Sequence, residues 1–208
     1  MIHARQGAAD FYLASASPRR RELLLQIGAR FDVLDVGAGS DESQHLGEPA
    51  ATYVERVAAE KARRGLALAR ARDLPGLPVL AADTVVIVEG DVLGKPRDAD
   101  EAAAFLARLS GRAHEVRTAV VLALHAGGAF ERFLAETSIS AVHFRALSAD
   151  EIRRYAASAE PYDKAGGYAI QGRAAAFAAR IEGSYSGIMG LPLETAARLL
   201  AAAGIGLD

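Results

Sequence analysis

Ten residues set the first limit on this fold: Val79–Val88, VLAADTVVIV, an apolar run with an aspartate and a threonine at its centre. Leu74-Pro75-Gly76-Leu77-Pro78 breaks the chain before it, and Glu89-Gly90-Asp91 turns it back afterwards toward Leu93. A run this dense fits a strand buried on both faces of a sheet. The expectation is an α/β fold with this strand near its middle.

The flanking sequence supplies the other elements. Phe11–Ala14 reads as a short strand and Ser17-Pro18 as a helix start, because serine is a favoured N-cap and proline at the first helical position forgoes no useful donor. Leu23, Leu24 and Ile27 mark the apolar face of that helix, and Gly28 its stop. Phe31–Val36 reads as a second strand. The polar loop GAGSDESQHLGEP follows, then an Ala/Arg-rich helix from Ala50 to Arg72. Asp98 with Glu101, and Ser148 with Glu151, stand at capping-box spacing and open helices reaching Leu109 and Tyr155. Two β-rich segments, Glu115–Leu124 and Phe130–Phe144, are joined by Ala126-Gly127-Gly128, and a last helix covers Leu193–Ala203. Strands joined by short turns among interleaved helices call for a mixed sheet rather than a parallel one. With no internal repeat and no linker, residues 1–208 read as a single domain with two lobes around a cleft.

Composition narrows the function. The chain has 208 residues, 51% of them hydrophobic, enough for a proper core. The net charge of −2 gives no overall field to hold a nucleic-acid polymer, so any positive potential is local. With 6% aromatics and no tryptophan, stacking surfaces for single strands are scarce. The absence of cysteine excludes disulfides, thiolate metal sites and a cysteine nucleophile. Neither a signal-peptide core nor an apolar stretch of membrane-spanning length is visible, so a soluble cytoplasmic protein is expected.

Two stretches carry chemistry. In LASASPRRRELL, Ser15, Ser17, Arg19 and Arg20 sit at a strand-to-helix turn, where free backbone N–H groups and the helix dipole favour an anion. Three consecutive arginines oppose that dipole, and an anionic ligand is the reading that relieves the conflict. In EPYDKAGGYAIQG, Glu160–Gly172, small residues permit close backbone approach, and Gln171 presents a donor and an acceptor such as a pyrimidine edge needs. Asp83, inside the apolar run, requires a cationic partner or a metal if it is buried. Lys95 in Gly94-Lys95-Pro96, Asp41-Glu42 in the polar loop and Lys61 on the following helix each read, alone, as solvated surface. No Walker loop and no H-E-x-x-H is present, and the five histidines show no ligand spacing.

Together these blocks resemble the Maf family of nucleoside triphosphate pyrophosphatases. The likeness runs through LASASPRRRELL, the DES loop, AADTVV, GKPRDADEA, LSGRAHEVRTAV, EPYDKAGGYAIQG and IEGSYSGIMGLPL. The last two blocks are similar to the branch acting on dTTP and UTP rather than the one acting on 7-methyl-GTP. Gly167 stands where alanine is common. The resemblance implies an inosine-triphosphatase-like fold and cleavage between the α and β phosphates to a nucleoside monophosphate and pyrophosphate, with a divalent metal, Mg²⁺ or Mn²⁺. It implies Asp83 as proton acceptor and Arg19, Thr84 and Gln171 as the positions setting substrate choice. Ser15, Ser17, Arg20, Glu42, Lys61 and Lys95 would complete the phosphate and metal shell.

An unperturbed aspartate, with a pKa of about 3.9, is a weak base at neutral pH, so Asp83 is expected to act on a metal-activated water and, with Glu42, to ligate the metal. The expected role is cleansing of nucleotide pools, with an associated arrest of cell division. A catalytically weak, nucleotide-binding regulator of septum formation and a 7-methyl-GTP pyrophosphatase are the alternatives. The expected partner is a nucleoside triphosphate, with neither membrane nor nucleic-acid polymer, and a homodimer suits an enzyme of this size.

Overall fold

The computed structural model describes residues 8–37, 42–125 and 131–207. Asp41, the Ala126-Gly127-Gly128 turn and the first seven residues lie outside the described residues. Strand β1 (Phe11–Leu13) leads into α1 (Pro18–Gln26), β2 (Phe31–Val33) and the long α2 (Ala50–Ala71). The apolar run is β3 (Val79–Val88), turned through Glu89-Gly90 into β4 (Asp91–Leu93). Helix α3 (Ala99–Leu109), β5 (Ala113–His125), β6 (Glu131–Phe144) and α4 (Ala149–Ala156) follow. The chain closes with β7 (Ala178–Glu182), α5 (Tyr185–Met189) and α6 (Leu193–Ala202).

Among the described residues the strands form one mixed sheet in the order β2-β1-β3-β5-β6-β7, with β4 also on β3. β1 is parallel to β2 and β3, and every other pair is antiparallel. Side chains alternate between its faces. On one face α2 lays Val54, Ala58, Ala62 and Leu66 over Val79, Ala81, Val85 and Val121. Each buried leucine or valine of this kind contributes roughly 1.5–3 kcal/mol. On the other face α1 and α6 set Leu23, Leu24, Leu199 and Leu200 against Leu80, Ala82, Val120 and Leu122. A separate cluster at the far end joins Val86, Val88, Val116 and Val142 to Leu106, Tyr155, Tyr168 and Ile170.

The register of β3 places the site. On one edge β3 pairs with β5 along almost its whole length, Val79 to Ile87. On its other edge β1 pairs with Val79 and Leu80, and β4 with Val86, Ile87 and Val88. Residues 81–85 therefore have no strand beside them on that side, and the sheet is open there. Asp83 and Thr84 occupy the opening. Being consecutive they point to opposite faces, Asp83 toward α2 and Thr84 toward α1, and the missing strand lets both line the same cleft.

Three local features differ from the sequence reading. Asp98 caps α3 through Glu101 N–H, but the Glu101 carboxylate accepts from Arg97 N–H, one residue before the cap, so only half of the capping box forms. Ser148 and Glu151 make the full box. β7 and α5 were not anticipated, because AARIE is short and half-exposed and Tyr185–Met189 is barely one turn. No helix of the described residues is long and apolar enough to cross a membrane.

Candidate active site

The cleft, of about 930 Å³, begins with an ion-pair cluster on the α2 side of the opening. Lys61, on α2, places Nζ 2.8 Å from Asp83 Oδ1 and 3.0 Å from Glu42 Oε2. Arg64, one helical turn further on, donates to Glu42 Oε1 at 2.8 Å, and Tyr53 O–H donates to the Glu42 carbonyl at 2.7 Å. Asp83 and Lys61 are each 14% exposed in their side chains, so the pair is shielded yet open to the cleft. The carboxylate that looked expensive in an apolar strand is matched by a lysine, as burial requires.

On the opposite face Arg20 is held by neutral acceptors. Its Nε donates to Gly190 O at 2.8 Å, Nη1 to Ser15 Oγ at 3.3 Å and Nη2 to Thr84 Oγ1 at 3.3 Å. Thr118 Oγ1 donates to Gly187 O at 2.8 Å, which uses its single proton, so Thr84 is the donor in the 2.9 Å Thr84–Thr118 pair. The chain Arg20 to Thr84 to Thr118 to Gly187 thus has a fixed direction, and α5 with its following Gly190 serves to orient Arg20. Burial pulls the Arg20 guanidinium below its usual range, the Asp83 charge opposes that pull and Arg19 reinforces it. Ser17 caps α1 through Arg20 N–H, and Ser15 Oγ also accepts from Ser17 N–H at 3.2 Å.

The far wall is built by residues 160–172. Gly166 has φ +69° and donates its N–H to Gly94 O at 2.9 Å; a β-carbon there would come within 2.8 Å of Val86 Cγ2. This close approach seats the loop on β3 and β4. Behind it Tyr168 O–H meets His114 Nε2 at 2.8 Å, both side chains being buried. Lys164 and Gln171 line the cleft from this wall, and Lys95 from the turn beyond β4. Burial, and then the charge of Arg19, hold the Lys164 ammonium below its usual range.

All the expected residues that the structure describes are brought to one cleft: Ser15, Ser17, Arg19, Arg20, Glu42, Lys61, Asp83, Thr84, Lys95 and Gln171. Thr84 enters it as the support of Arg20. Arg21, the third arginine of the run, is exposed and lies outside it. Lys164, Tyr53, Arg64 and Thr118 were missed. Arg64 stands three residues after Lys61 on one helical face, a spacing that could have pointed to it. Four cationic side chains of the lining, Arg19, Arg20, Lys95 and Lys164, have no carboxylate partner among the described residues.

The donor set suits a divalent cation of the Mg²⁺ type. Asp83 and Glu42 are already gathered about the Lys61 ammonium, with Arg64 on the other Glu42 oxygen, and Mg²⁺ characteristically takes one or two carboxylates with the remaining positions filled by water and phosphate oxygens. Among the described residues no group of three or more His, Cys, Asp or Glu side chains could enclose a metal by itself. These residues therefore fit a cation that arrives with a phosphate ligand.

Residues 10–203 match the family model described as Maf-like protein. The dTTP/UTP pyrophosphatase of Bordetella parapertussis is 57% identical over 203 residues, covering 95% of this chain and 96% of that protein. Those of Aromatoleum aromaticum and Chromobacterium violaceum are 53% and 50% identical, each covering 94% of this chain and 96% of the relative. Among solved structures, a HAM1 protein from Coxiella burnetii aligns over 65% of this chain and 73% of its own, at 17% identity and a TM-score of 0.44. The family match takes in every element that lines the cleft, from α1 to α5, and the chain belongs to the Maf family.

Proposed function

We propose that this cleft hydrolyses nucleoside triphosphates, preferably dTTP and UTP, to the monophosphate and pyrophosphate. One observation carries the reading: two lysine-bridged carboxylates at the opening in the sheet face four cations that have no carboxylate of their own. Such an arrangement fits a polyanion whose reacting phosphorus lies beside Asp83. The names of the relatives in this family support the substrate class and the pyrimidine preference.

Water attacks the α-phosphorus, the bond from that phosphorus to the α–β bridging oxygen breaks, and pyrophosphate leaves with the oxygen. Asp83 and Glu42 would hold a divalent cation, which would neutralise phosphate charge and make a bound water more acidic. Asp83 orients the water and accepts its proton, and Lys61 holds the two carboxylates in place. Arg19, Arg20, Lys95 and Lys164 offset charge on the phosphates and on the departing pyrophosphate. Ser15 and Thr84 keep the Arg20 fork aimed. Gln171, on the far wall, presents its amide to the base. We read residues 1–208 as one cytoplasmic domain that acts on nucleotide pools, and a homodimer as its assembly.

The test is pyrophosphate release from dTTP, UTP, CTP, GTP and 7-methyl-GTP, with and without Mg²⁺ or Mn²⁺. Metal-dependent turnover of dTTP and UTP well above the others is the expected result. Nucleotide binding without turnover would instead favour a regulatory binding protein. Preference for 7-methyl-GTP would place the chain in the sister branch.

A further inference from the structure

Gln171 is exposed and makes no hydrogen bond within the protein among the described residues, yet the backbone on both sides of it is tied down. The ties converge on two side chains outside the cleft lining. Tyr155 on α4, 1% exposed, accepts from Ala169 N–H at 3.1 Å and donates its own proton to Glu160 Oε1 at 2.9 Å. The same carboxylate oxygen accepts from Ala174 N–H at 3.3 Å. Gly172, next to Gln171, lies so close to Glu160 that a β-carbon would stand 2.4 Å from Oε1 and 2.7 Å from the carboxyl carbon. Residues 169, 172 and 174 are thus held against one tyrosine–glutamate pair, two residues before Gln171 and one and three after it.

The pair has a defined polarity. Tyr155 has one proton, and the bond to Glu160 uses it, which leaves the phenolic oxygen as the acceptor that Ala169 N–H requires. The Tyr155 ring is pinned edge-on against Phe177, centroids 5.2 Å apart. A buried hydroxyl so held gives the loop a defined point of attachment. Selectivity between bases that differ only in the donor and acceptor order of an edge depends on amide placement to a fraction of an ångström.

We propose that Glu160 and Tyr155 are positioning residues for base selection: they touch no substrate and act by fixing the backbone that presents Gln171. This rests on the reading of Gln171 as the base reader.

The test measures kcat/KM for dTTP, UTP, CTP and GTP, as pyrophosphate release, in Tyr155→Phe, Glu160→Ala, Glu160→Gln and Gln171→Ala. Melting temperatures are measured beside them. Tyr155→Phe removes both bonds of the hydroxyl with almost no change of shape, so it remains informative if Glu160→Ala fails to fold. The expected result is a fall of roughly tenfold in the dTTP-to-CTP and dTTP-to-GTP ratios in Tyr155→Phe and Glu160→Ala. Glu160→Gln, whose amide oxygen still accepts from both donors, restores most of the ratio. Adding Tyr155→Phe to Gln171→Ala lowers the ratio no further. If rates on all four nucleotides fall together with the melting temperature and the ratios hold, the pair is merely structural and the proposal is overturned. Gln171→Ala separates the two failures. A collapsed ratio there, with an intact ratio in Glu160→Ala, defeats the positioning role alone. An intact ratio in Gln171→Ala defeats the base-reader reading and the proposal with it.

Discussion

Asp83 shows how one residue can be legible in kind and hidden in cause. Its cost in an apolar strand is visible from sequence, and the two ways to meet that cost, a cation or a metal, are general. That it stands mid-strand, where β1 has ended and β4 has not begun, needs the register. Lys61 and Glu42, each unremarkable alone, gain meaning only because α2 brings Lys61 within 2.8 Å of Asp83. Asp83→Asn keeps the shape but loses a carboxylate oxygen able to take a proton. We expect kcat for dTTP to drop by about 100-fold or more, with thermal unfolding within a few degrees of the parent. Turnover assay and melting curve on the same sample check both halves. Wild-type turnover would remove Asp83 from the chemistry. Lys164 was hidden for a different reason: its place opposite Arg19 is made by a fold-back from residue 164 to residue 19 that no local pattern encodes.

At the scale of elements, the strands and helices that follow strong periodicity or caps were legible: β3, α1 with its Ser17 cap, α2, and α4 with its Ser148–Glu151 box. Those that escaped, β7 and α5, owe their form to partners. β7 is fixed by pairing with β6, and α5 by contacts with β5 and β6. The distance from α2 to the sheet is set by Gly65, where a β-carbon would lie 2.6 Å from Val79 Cγ1 and 3.0 Å from Ala14 Cβ. Gly65→Ala must push the helix outward or crowd β3. Overpacking of this kind typically costs about 1–3 kcal/mol, and it also lengthens the reach from Lys61 to Asp83. Chemical denaturation should show that loss of stability, with kcat reduced in the folded fraction. Unchanged stability and rate would mean that the helix rests on the sheet more loosely than described.

Across the whole molecule, the layered α/β order was legible because the central apolar run and the short turns beside it admit few arrangements. The gap that makes the site was not, since it arises from two short strands sharing one edge of a third. The two walls of the cleft draw on different cores, and the core of the far wall has its own pH response. Burial pushes the His114 ring down to about 4, with His143 adding to the effect, while in the unfolded chain it titrates near 6.5. The folded state therefore prefers the neutral ring. Its contribution is complete above about pH 6.5 and is lost as the pH falls toward 4, where the unfolded chain binds the proton first. The full loss is roughly 3 kcal/mol at most. Carboxylates held low by arginines, Glu48 and Glu151 at about 2, lose their contribution as the pH falls from the ordinary carboxylate range toward 2. Melting temperature from pH 7 to pH 4.5 should therefore fall more steeply in the parent than in His114→Gln. Parallel curves would show that His114 does not titrate in this window.

The proposed attack of water on the α-phosphorus of a pyrimidine nucleoside triphosphate beside Asp83 fixes where the solvent oxygen must end up. The most direct measurement is the identity of the products of dTTP with Mg²⁺ in ¹⁸O-labelled water, separated by ion-exchange chromatography and weighed by mass spectrometry. The expected products are dTMP carrying one ¹⁸O and unlabelled pyrophosphate. dTDP with labelled phosphate would place the attack at the terminal phosphorus and contradict it.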